Sequence, residues 1–505
     1  MASPEEIEIK LRLSARARAA LLRHPALTAP RASPPETRAE TTVYFDTKSG
    51  QLSATGASLR VRRSGDGSLT QTLKLGPIAL GIAARRGEWE WPIARETPDI
   101  ALLAGVEEAA IAALDGPLGP LCSTEIERTA SWIGGEDGTL IEAVIDRGRI
   151  RAGKRTVAVS EVELELKSGP PGALYRLALE LADSVPLAIE PASKAERGAR
   201  LAGHQGRGAV KYEDVALRRT KSAVEAFRRI LDAAIGHLRV NLEPAARGQP
   251  EGIHQLRIAT RRLRAAIALF KPLLTAEAAA RFNEALRRSG RIFGAARDWD
   301  VFVTETLPAA EADGMAPEWS RRLLEAASQA RVAAHVAVAR ELTAPGFTLL
   351  LLGLSAGAEG PAGIGQPALA RAMKDAAPAL LDRLLRRAAR RAKGIGEADP
   401  SALHALRKAM KTLRYGVEFT APLYRRKAVK RFLKPCKHLQ ESLGVLNDAA
   451  AATPALAACL ASEDRADLAP ALGVLTVWAE RRGAEARAGL PKAWNALREA
   501  EPFWR

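Results

Sequence analysis

Short segments in which charged residues alternate with apolar ones recur through the first 205 residues, and they constrain the fold of this chain most. The first segment runs Glu6-Ile7-Glu8-Ile9-Lys10 and continues through Leu11-Arg12-Leu13. A period of two residues predicts a β-strand with one apolar face and one charged face. Residues 161–167, Glu-Val-Glu-Leu-Glu-Leu-Lys, repeat the same order of acids followed by a lysine.

Four further segments place charge on one face of a predicted strand. Their charged residues are Arg60 and Arg62, then Lys74, then Glu88 and Glu90, and finally Glu142 and Asp146. Both signs of charge suit the inner wall of a closed barrel, with the apolar faces outside beneath short helices at 14–23, 99–114 and 172–183. Periodicity alone is equally compatible with an open sheet that packs its apolar face on the same helices.

The residue types on these faces indicate phosphate chemistry. Arginine offers a forked, permanently charged donor to phosphate, and Mg²⁺ or Mn²⁺ prefers carboxylate oxygens. Lys10, Arg60, Arg62 and Lys74 can supply the donors, while Glu6, Glu8 and the acids of 161–165 can supply the metal ligands. These residues therefore favour a cavity that binds a phosphate chain together with a divalent cation.

An ordered series of motifs over about 200 residues resembles the CYTH domain of the triphosphate tunnel metalloenzymes. The series begins with the ExExK signature at residues 6–10. It continues through Tyr44-Phe45-Asp46-Thr47, Leu59-Arg60-Val61-Arg62, Leu73-Lys74, Arg86-Gly87-Glu88-Trp89-Glu90, Glu127-Arg128, Asp146-Arg147-Gly148, residues 160–167 and Ser193-Lys194-Ala195-Glu196-Arg197-Gly198. The resemblance implies an eight-stranded antiparallel tunnel that binds a triphosphate and one or two divalent metal ions.

The resemblance also implies roles for individual residues. Phosphate contacts fall on Lys10, Arg60, Arg62, Lys74, Arg128 and Lys194, metal ligands on Glu6, Glu8, Glu161, Glu163 and Glu165, and orientation of the basic residues or a second metal on Glu88, Glu90, Glu142 and Asp146. Catalysis is assigned to Glu6, Glu8 and Lys10. Many members of the family carry a further basic residue where this chain has Ala130, which predicts a looser contact with one end of the substrate.

The second part of the chain is strongly basic. Residues 1–205 hold 26 Lys and Arg and 27 Asp and Glu, a net charge of −1; the totals of 75 and 58 leave 49 and 31 for residues 206–505, a net charge of +18. Ala, Leu and Arg at helical spacing replace the alternating pattern from about Val215. A basic part beside a neutral part predicts a module that binds a polyanion.

The basic part also repeats itself at a shift of 150 residues, which predicts two copies of one helical unit. In each copy a histidine and three basic residues fall on one helix face. The two sets are His254, Arg257, Arg261 and Arg264, with Arg262 beside them, and His404, Arg407, Lys411 and Arg414, with Lys408 beside them. No acid lies between His254 and Lys271 to balance the first set, so we expect an external anion there.

These paired motifs resemble the CHAD domain over about residues 215–500. The resemblance implies binding of inorganic polyphosphate and association with polyphosphate granules. Few aromatic side chains accompany the basic residues, which also favours a bare phosphate polymer over nucleic acid. At neutral pH the two histidines need not be charged, so capping or packing roles remain open for them.

The sequence therefore predicts an α+β protein in which a β-tunnel precedes two pseudo-symmetric helical bundles. The predicted divisions are a CYTH domain at 1–203, a linker at 204–214 and a CHAD domain at 215–505, with repeats at about 215–355 and 365–500 and a loop at 355–368. We expect metal-dependent hydrolysis of inorganic triphosphate to pyrophosphate and phosphate. The alternatives are a non-catalytic protein of polyphosphate granules, or adenylate cyclase or thiamine triphosphatase activity in the same tunnel.

Cysteine usage and hydropathy indicate a cytoplasmic location. The chain has three cysteines, Cys122, Cys436 and Cys459, an odd number without the spacing of a zinc site, which favours a reduced compartment. The acidic N-terminus does not resemble a signal peptide, and the longest apolar run, Phe347 to Leu354, is too short to span a bilayer. We therefore expect no membrane partner, and do not expect nucleic acid.

Overall fold

The structure is a computed structural model. It describes residues 5–28, 31–76, 78–79, 81–106, 111, 114–135, 137–204, 208–217, 220–359, 371–459 and 462–505. These residues form two compact units. The tunnel unit comprises Met1–Lys211, Ile235–Gly252 and Arg340–Gly360, and the helical unit comprises Tyr212–Ala234, Ile253–Ala339 and Pro361–Arg505.

The tunnel unit is built on ten antiparallel strands. They are β1 (Glu5–Leu13), β2 (Glu36–Thr47), β3 (Ser58–Arg63), β4 (Leu69–Lys74), β5 (Ile78–Ala79), β6 (Ala84–Pro92), β7 (Leu118–Gly134), β8 (Leu140–Ala152), β9 (Arg155–Ser168) and β10 (Leu187–Ile189). Eight of them follow the order β1-β9-β8-β7-β2-β3-β4-β6, and β6 pairs again with β1. The sheet is therefore a closed eight-stranded barrel, with β5 and β10 as short additions.

Register sets which side chains meet inside the barrel. Glu8 of β1 lies opposite Glu165 of β9, Lys10 lies opposite Glu163, and Lys74 of β4 lies opposite Glu88 of β6. The opposite face of β1 carries Ile9, Leu11 and Leu13, which are buried outside the barrel wall. The charged faces therefore point into a closed barrel, and the open sheet that periodicity alone allows is not formed.

Short helices cover the outer, apolar face of the barrel. They are α1 (Ala15–Leu21), α2 (Pro25–Thr28), α3 (Gln51–Thr55) and α4 (Pro171–Ser184), with a 3₁₀ helix at Ile100–Gly105. A further helix, α5 (Lys194–Leu201), packs instead against Cys122 and Ile126, on the face of β7 that also carries Arg128. α4 follows the amphipathic pattern, and Leu174, Ala178 and Leu181 bury one side of it. The predicted helix at 99–114 is wrong in part: its first half is the 3₁₀ helix, and residues 107–110 and 112–113 lie outside the described residues.

The remaining helices carry the Ala, Leu and Arg pattern. They are α6 (Ala223–Ala246), α7 (Pro250–Phe270), α8 (Ala276–Val301), α9 (Leu307–Ala312), α10 (Pro317–Leu342), α11 (Pro345–Glu359), α12 (Met373–Arg391), α13 (Pro400–Thr420), α14 (Arg426–Cys459), α15 (Ser462–Ala488) and α16 (Leu490–Glu499). Among the described residues no single helix is long and apolar enough to cross a membrane, and only α10 and α11 taken together as a bent pair reach that length and composition.

The internal repeat is visible as a repeated order of elements. α7 and α13 each have 21 residues, and each is followed by a 3₁₀ turn, at Lys271–Leu273 and Ala421–Leu423. A further long helix then starts in each copy. The loop predicted at 355–368 is wrong at its start, because residues up to Glu359 belong to α11, and residues 360–368 lie outside the described residues.

Candidate functional site

The interior of the barrel is a charged cavity of about 330 Å³. Thirteen of the residues predicted for the tunnel site line it: Glu6, Glu8, Lys10, Arg60, Arg62, Lys74, Glu88, Glu90, Arg128, Glu142, Glu163, Glu165 and Lys194. The other two, Asp146 and Glu161, are fully buried behind the cavity wall. The strands thus bring the predicted set to one place, while the roles of its members stay predictions.

Glu8 and Glu163 are held by cations. Lys10 donates to Glu8 across 2.7 Å and also to Glu163, while Arg86 donates to Glu8 from the neighbouring strand. Burial opposes ionisation of Glu8, but Arg86, Lys10 and Lys74 outweigh it and lower the pKa of Glu8 to about 2. Lys10, Lys194 and Arg128 likewise outweigh burial and hold the pKa of Glu163 well below its usual value.

In a second cluster of carboxylates, nearby basic side chains offset the negative charge less fully. One oxygen each of Glu6, Glu88 and Glu165 lies within 4.8 Å of the others, although Lys74 contacts both Glu6, at 2.6 Å, and Glu88, at 3.0 Å. Burial, with a contribution from Glu6, raises the pKa of Glu165 to about 7, and burial together with Glu8 raises the pKa of Glu6. Three carboxylates on three adjacent strands, two of them resisting ionisation, fit a hard divalent cation.

A third carboxylate group already contains a cation. Asp146, Glu161 and Glu163 also converge, but Lys194 Nζ lies 2.7, 2.6 and 3.0 Å from their oxygens. Burial opposes the charge of Asp146, yet Lys194 and Arg128 lower its pKa. One ammonium group thus contacts all three carboxylates, whereas Lys74 contacts Glu6 and Glu88 and Lys167 contacts Glu165. Asp146, Glu161 and Glu163 therefore fit a metal ion less well than Glu6, Glu88 and Glu165.

Helix capping fixes the position of Lys194. The side chain of Ser193 accepts from the backbone N–H of Glu196, and the Glu196 carboxylate accepts from the backbone N–H of Ser193. This capping box begins α5 at Lys194 and directs that side chain into the barrel.

The arginines of β3 form the opposite wall. Arg60 lies 3.7 Å from Glu88, and Arg62 lies 3.4 Å from Glu90. The Nε groups of both arginines are buried without a hydrogen-bond acceptor among the described residues. Arg128 of β7 completes this wall and donates to Asp146 at 2.7 Å. Guanidinium groups with spare donors in a cavity suit the oxygens of a phosphate chain.

Three charged lining residues, Arg38, Arg86 and Lys167, were absent from the predicted set. Arg86 shares a face of β6 with Glu88 and Glu90 and contacts both Glu6, at 3.4 Å, and Glu8. Lys167 lies 2.6 Å from Glu165 and 3.3 Å from Glu142. The same two-residue period that identified their neighbours also includes Arg86 and Lys167, so the pattern was sufficient to find those two, whereas Arg38 lies in a segment without apolar alternation.

In the helical unit, basic side chains of the two motif helices lie close together. Burial and the nearby charges of Arg261, Arg407 and Arg257 lower the pKa of Lys411 to about 6. Burial and Arg257 also lower the pKa of Arg261 to about 10. Arg257 pairs with Asp298 at 2.7 Å and Arg407 with Asp448 at 3.6 Å, but both carboxylates are exposed. Four crowded basic side chains, one of which resists protonation, form a candidate anion site.

Other residues of the two predicted stripes lie outside this group. The Arg262 guanidinium is buried against the Tyr212 ring, 3.6 Å from its centroid, and lies 3.2 Å from Glu418. Arg414 lies 3.6 Å from Glu418, and Arg264 donates to Asn283. His404 and Lys408 are exposed, the histidine 2.8 Å from Asn447, and His254 is half-buried on α7. Arg262 is thus placed among packing contacts rather than with the crowded cations.

The fold and the site together define a charged β-tunnel protein that also carries a basic helical domain. Residues 4–199 match the CYTH domain family, and residues 229–457 match the CHAD domain family. The chain therefore contains a region similar to the CYTH domain followed by a region similar to the CHAD domain.

The chain is also similar to individual proteins. It is 34% identical over 167 residues to the inorganic triphosphatase of Haemophilus influenzae, a match that covers 32% of this chain and 46% of that protein. The chain thus spans about half the length of that curated relative. The crystal structure of the CHAD domain from the plant Ricinus communis matches 59% of this chain and 98% of its own, with 27% identity and a TM-score of 0.52.

Proposed function

We propose that the tunnel hydrolyses inorganic triphosphate to pyrophosphate and phosphate with the help of Mg²⁺ or Mn²⁺. The observation that carries the proposal is one closed cavity in which the arginine wall of β3 faces the carboxylates of β1, β6 and β9. The similarity to an inorganic triphosphatase supports the same reaction. A linear triphosphate needs multiple basic contacts along its chain, and Lys10, Arg60, Arg62 and Arg128 can supply them in the tunnel.

The carboxylates that would hold the divalent cation are Glu6, Glu88 and Glu165. This set shares Glu6 and Glu165 with the sequence-based assignment and differs from it in Glu8, Glu161 and Glu163. The single ammonium group of Lys194 contacts all three carboxylates of the group that contains Glu161 and Glu163, whereas Lys74 contacts Glu6 and Glu88 and Lys167 contacts Glu165. A divalent cation held by these carboxylates would supply positive charge to offset the charge that develops on the transferred phosphoryl group.

The basic side chains would align the substrate. Arg60, Arg62 and Arg128 would donate to phosphate oxygens from β3 and β7, while Lys10 would contact the phosphate chain of the substrate from β1. Glu8 remains ionised because of its lowered pKa, and it holds Lys10 and Arg86 in position. Fixing the phosphate chain in line with an attacking water is the main contribution that a protein can make to phosphoryl transfer.

The helical unit would bind inorganic polyphosphate through the cations around Lys411. A polyanion would relieve the repulsion between Arg257, Arg261, Arg407 and Lys411. A cytoplasmic location and association with polyphosphate granules follow as part of the proposal.

A substrate panel tests this function. The full chain is incubated with Mg²⁺ or Mn²⁺ and, in turn, tripolyphosphate, ATP, thiamine triphosphate and long-chain polyphosphate, and released phosphate and cyclic AMP are measured. We expect phosphate and pyrophosphate from tripolyphosphate at the highest rate. Cyclic AMP from ATP would instead identify a cyclase, preference for thiamine triphosphate a thiamine triphosphatase, and no turnover a binding protein of polyphosphate granules.

A further inference from the structure

A second cavity of about 90 Å³ adjoins the tunnel within the tunnel unit. Several tunnel residues line both cavities: Glu8, Lys10, Tyr44, Ser58, Arg86, Ser193 and Ala195. Its far side is formed by α6, which contributes Arg239, Val240 and Glu243. Arg239 belongs to the sequence matched by the CHAD family, so the cavity combines residues of both matched regions.

Arg239 is an unusual residue in this wall. Its side chain is only 6% exposed, yet Nε and Nη2 have no hydrogen-bond partner among the residues that the structure describes. Burial lowers its pKa, and so does the positive charge of Arg86. A buried guanidinium with unused donors beside a second guanidinium is costly unless an anion accepts from it.

The acids of the cavity are already engaged by other groups. Their partners are Lys10 and Arg86 for Glu8, backbone N–H groups of Thr47, Leu52 and Ser53 for Asp46, Arg197 for Glu190, the Ser193 cap for Glu196, and Arg200 for Glu243. Because these pairings are satisfied, the spare donors of Arg239 remain for a ligand.

We propose that Arg239 and Arg86 form an anion site for a single tetrahedral phosphate, adjoining the tunnel behind Glu8 and Lys10. The position suits orthophosphate that leaves the tunnel, or the end of a phosphate chain longer than the tunnel holds. This assignment of the occupant rests on the proposed triphosphatase function, whereas binding of a free oxyanion does not. Arg239, which lies on α6 in the region that matches the CHAD domain, would thereby supply a phosphate contact within the tunnel unit.

Titration of the full chain with orthophosphate, without metal or triphosphate and at fixed pH and ionic strength, tests the site. Arg239→Met removes the donors and is expected to weaken the orthophosphate affinity of this site by about tenfold or more. Arg239→Lys keeps the charge without the fork and should give an intermediate affinity. Arg229→Met removes an exposed arginine of the same helix, paired with Glu225 on the surface, and should leave the affinity unchanged.

Thermal unfolding of each variant separates a binding role from a structural one. If Arg239→Met and Arg239→Lys change only the melting temperature and bind orthophosphate like the wild type, Arg239 is a structural cation and the proposal is overturned. Loss of orthophosphate affinity in a folded variant supports it. A wild type that hydrolyses no triphosphate but binds orthophosphate through Arg239 would refute the proposed function and retain the anion site.

Discussion

At the scale of single residues, carboxylates from one sequence motif acquire different electrostatic states. Glu6 and Glu8 are two residues apart on β1, yet burial raises the pKa of Glu6 while Arg86 and Lys10 lower that of Glu8. Glu163 and Glu165 on β9 differ in the same way. The sequence predicts that all four face one cavity, but strand register decides which lysine or arginine each one meets.

This difference predicts which carboxylate controls metal dependence. Glu165→Gln removes one of the three converging carboxylates and should raise the Mg²⁺ concentration for half-maximal tripolyphosphate hydrolysis by about tenfold or more. Initial rates over a Mg²⁺ series provide the measurement. Glu125→Gln is the matched control, because that carboxylate pairs with Arg149 on the outer surface. An unchanged Mg²⁺ requirement in Glu165→Gln would exclude it as a ligand.

At the scale of elements, the alternating strands are predictable and the polar ones are not. The pattern predicts β1, β3 and β4 nearly to their ends, because one face of each is apolar. It predicts only residues 161–167 of β9, which begins at Arg155. Residues 30–40 have the composition of a Pro-rich loop, but β2 begins at Glu36. Glu36 to Ala39 have no apolar alternation, and pairing with β7 holds them in the sheet.

The placement of α5 depends on a glycine. A Cβ at Gly198 would overlap the Sγ of buried Cys122, so Gly198→Ala must shift the helix that presents Lys194. We expect a loss of about 1–3 kcal/mol in the free energy of unfolding, measured by denaturant titration, together with slower hydrolysis. Gly294→Ala, where an added Cβ meets no atom within 4 Å, should instead be neutral or stabilise by up to about 1 kcal/mol. Equal stability of the two variants would contradict this packing.

The motif helices α7 and α13 predict a pH dependence of anion binding. The pKa of Lys411 is lowered to about 6, first by burial and then by Arg261 and Arg407, so the free amine is mostly neutral at pH 7. A bound polyanion favours the protonated form, and binding therefore takes up a proton. Affinity for polyphosphate should rise as the pH falls from neutral toward about 6 and level off below it.

Calorimetric titrations with polyphosphate at several pH values measure this effect. Lys411→Met should remove most of the slope between neutral pH and pH 6, whereas Lys434→Met, an exposed position on α14, should keep it. A wild-type affinity that is independent of pH in this range would show that polyphosphate binds away from Lys411.

At the scale of the whole molecule, composition predicts the presence of two different regions more accurately than it predicts the boundaries of the compact units. The net charges of −1 and +18 separate near residue 205, and the family matches fall on either side of it. The compact units divide differently, because 235–252 and 340–360 belong to the tunnel unit. Long-range packing of these helices leaves no local signal in the sequence, so Arg239 could not be predicted as a neighbour of Arg86.

The excess positive charge predicts a strong salt dependence of polyphosphate binding by the full chain. The double substitution Arg261→Gln and Arg407→Gln should weaken binding and reduce the slope of log affinity against log salt by roughly one for each phosphate group that the protein no longer neutralises. Arg322→Gln, an exposed arginine paired with Asp467, is the control for charge alone. An equal slope in both variants would contradict a localised site.

A comparison of three initial rates tests whether the charged tunnel is a metal-dependent triphosphatase. Initial rates of phosphate release from tripolyphosphate are compared for the full chain with Mg²⁺, with excess chelator, and for Glu8→Gln with Mg²⁺, with thermal unfolding showing that the variant is folded. We predict release from the wild type with Mg²⁺, no release in chelator, and much slower release from Glu8→Gln, in which Lys10 and Arg86 lose the carboxylate that holds them. Release that persists in chelator, or no release from the wild type with either Mg²⁺ or Mn²⁺, would contradict a metal-dependent triphosphatase, and a wild-type rate in folded Glu8→Gln would contradict the positioning role of Glu8.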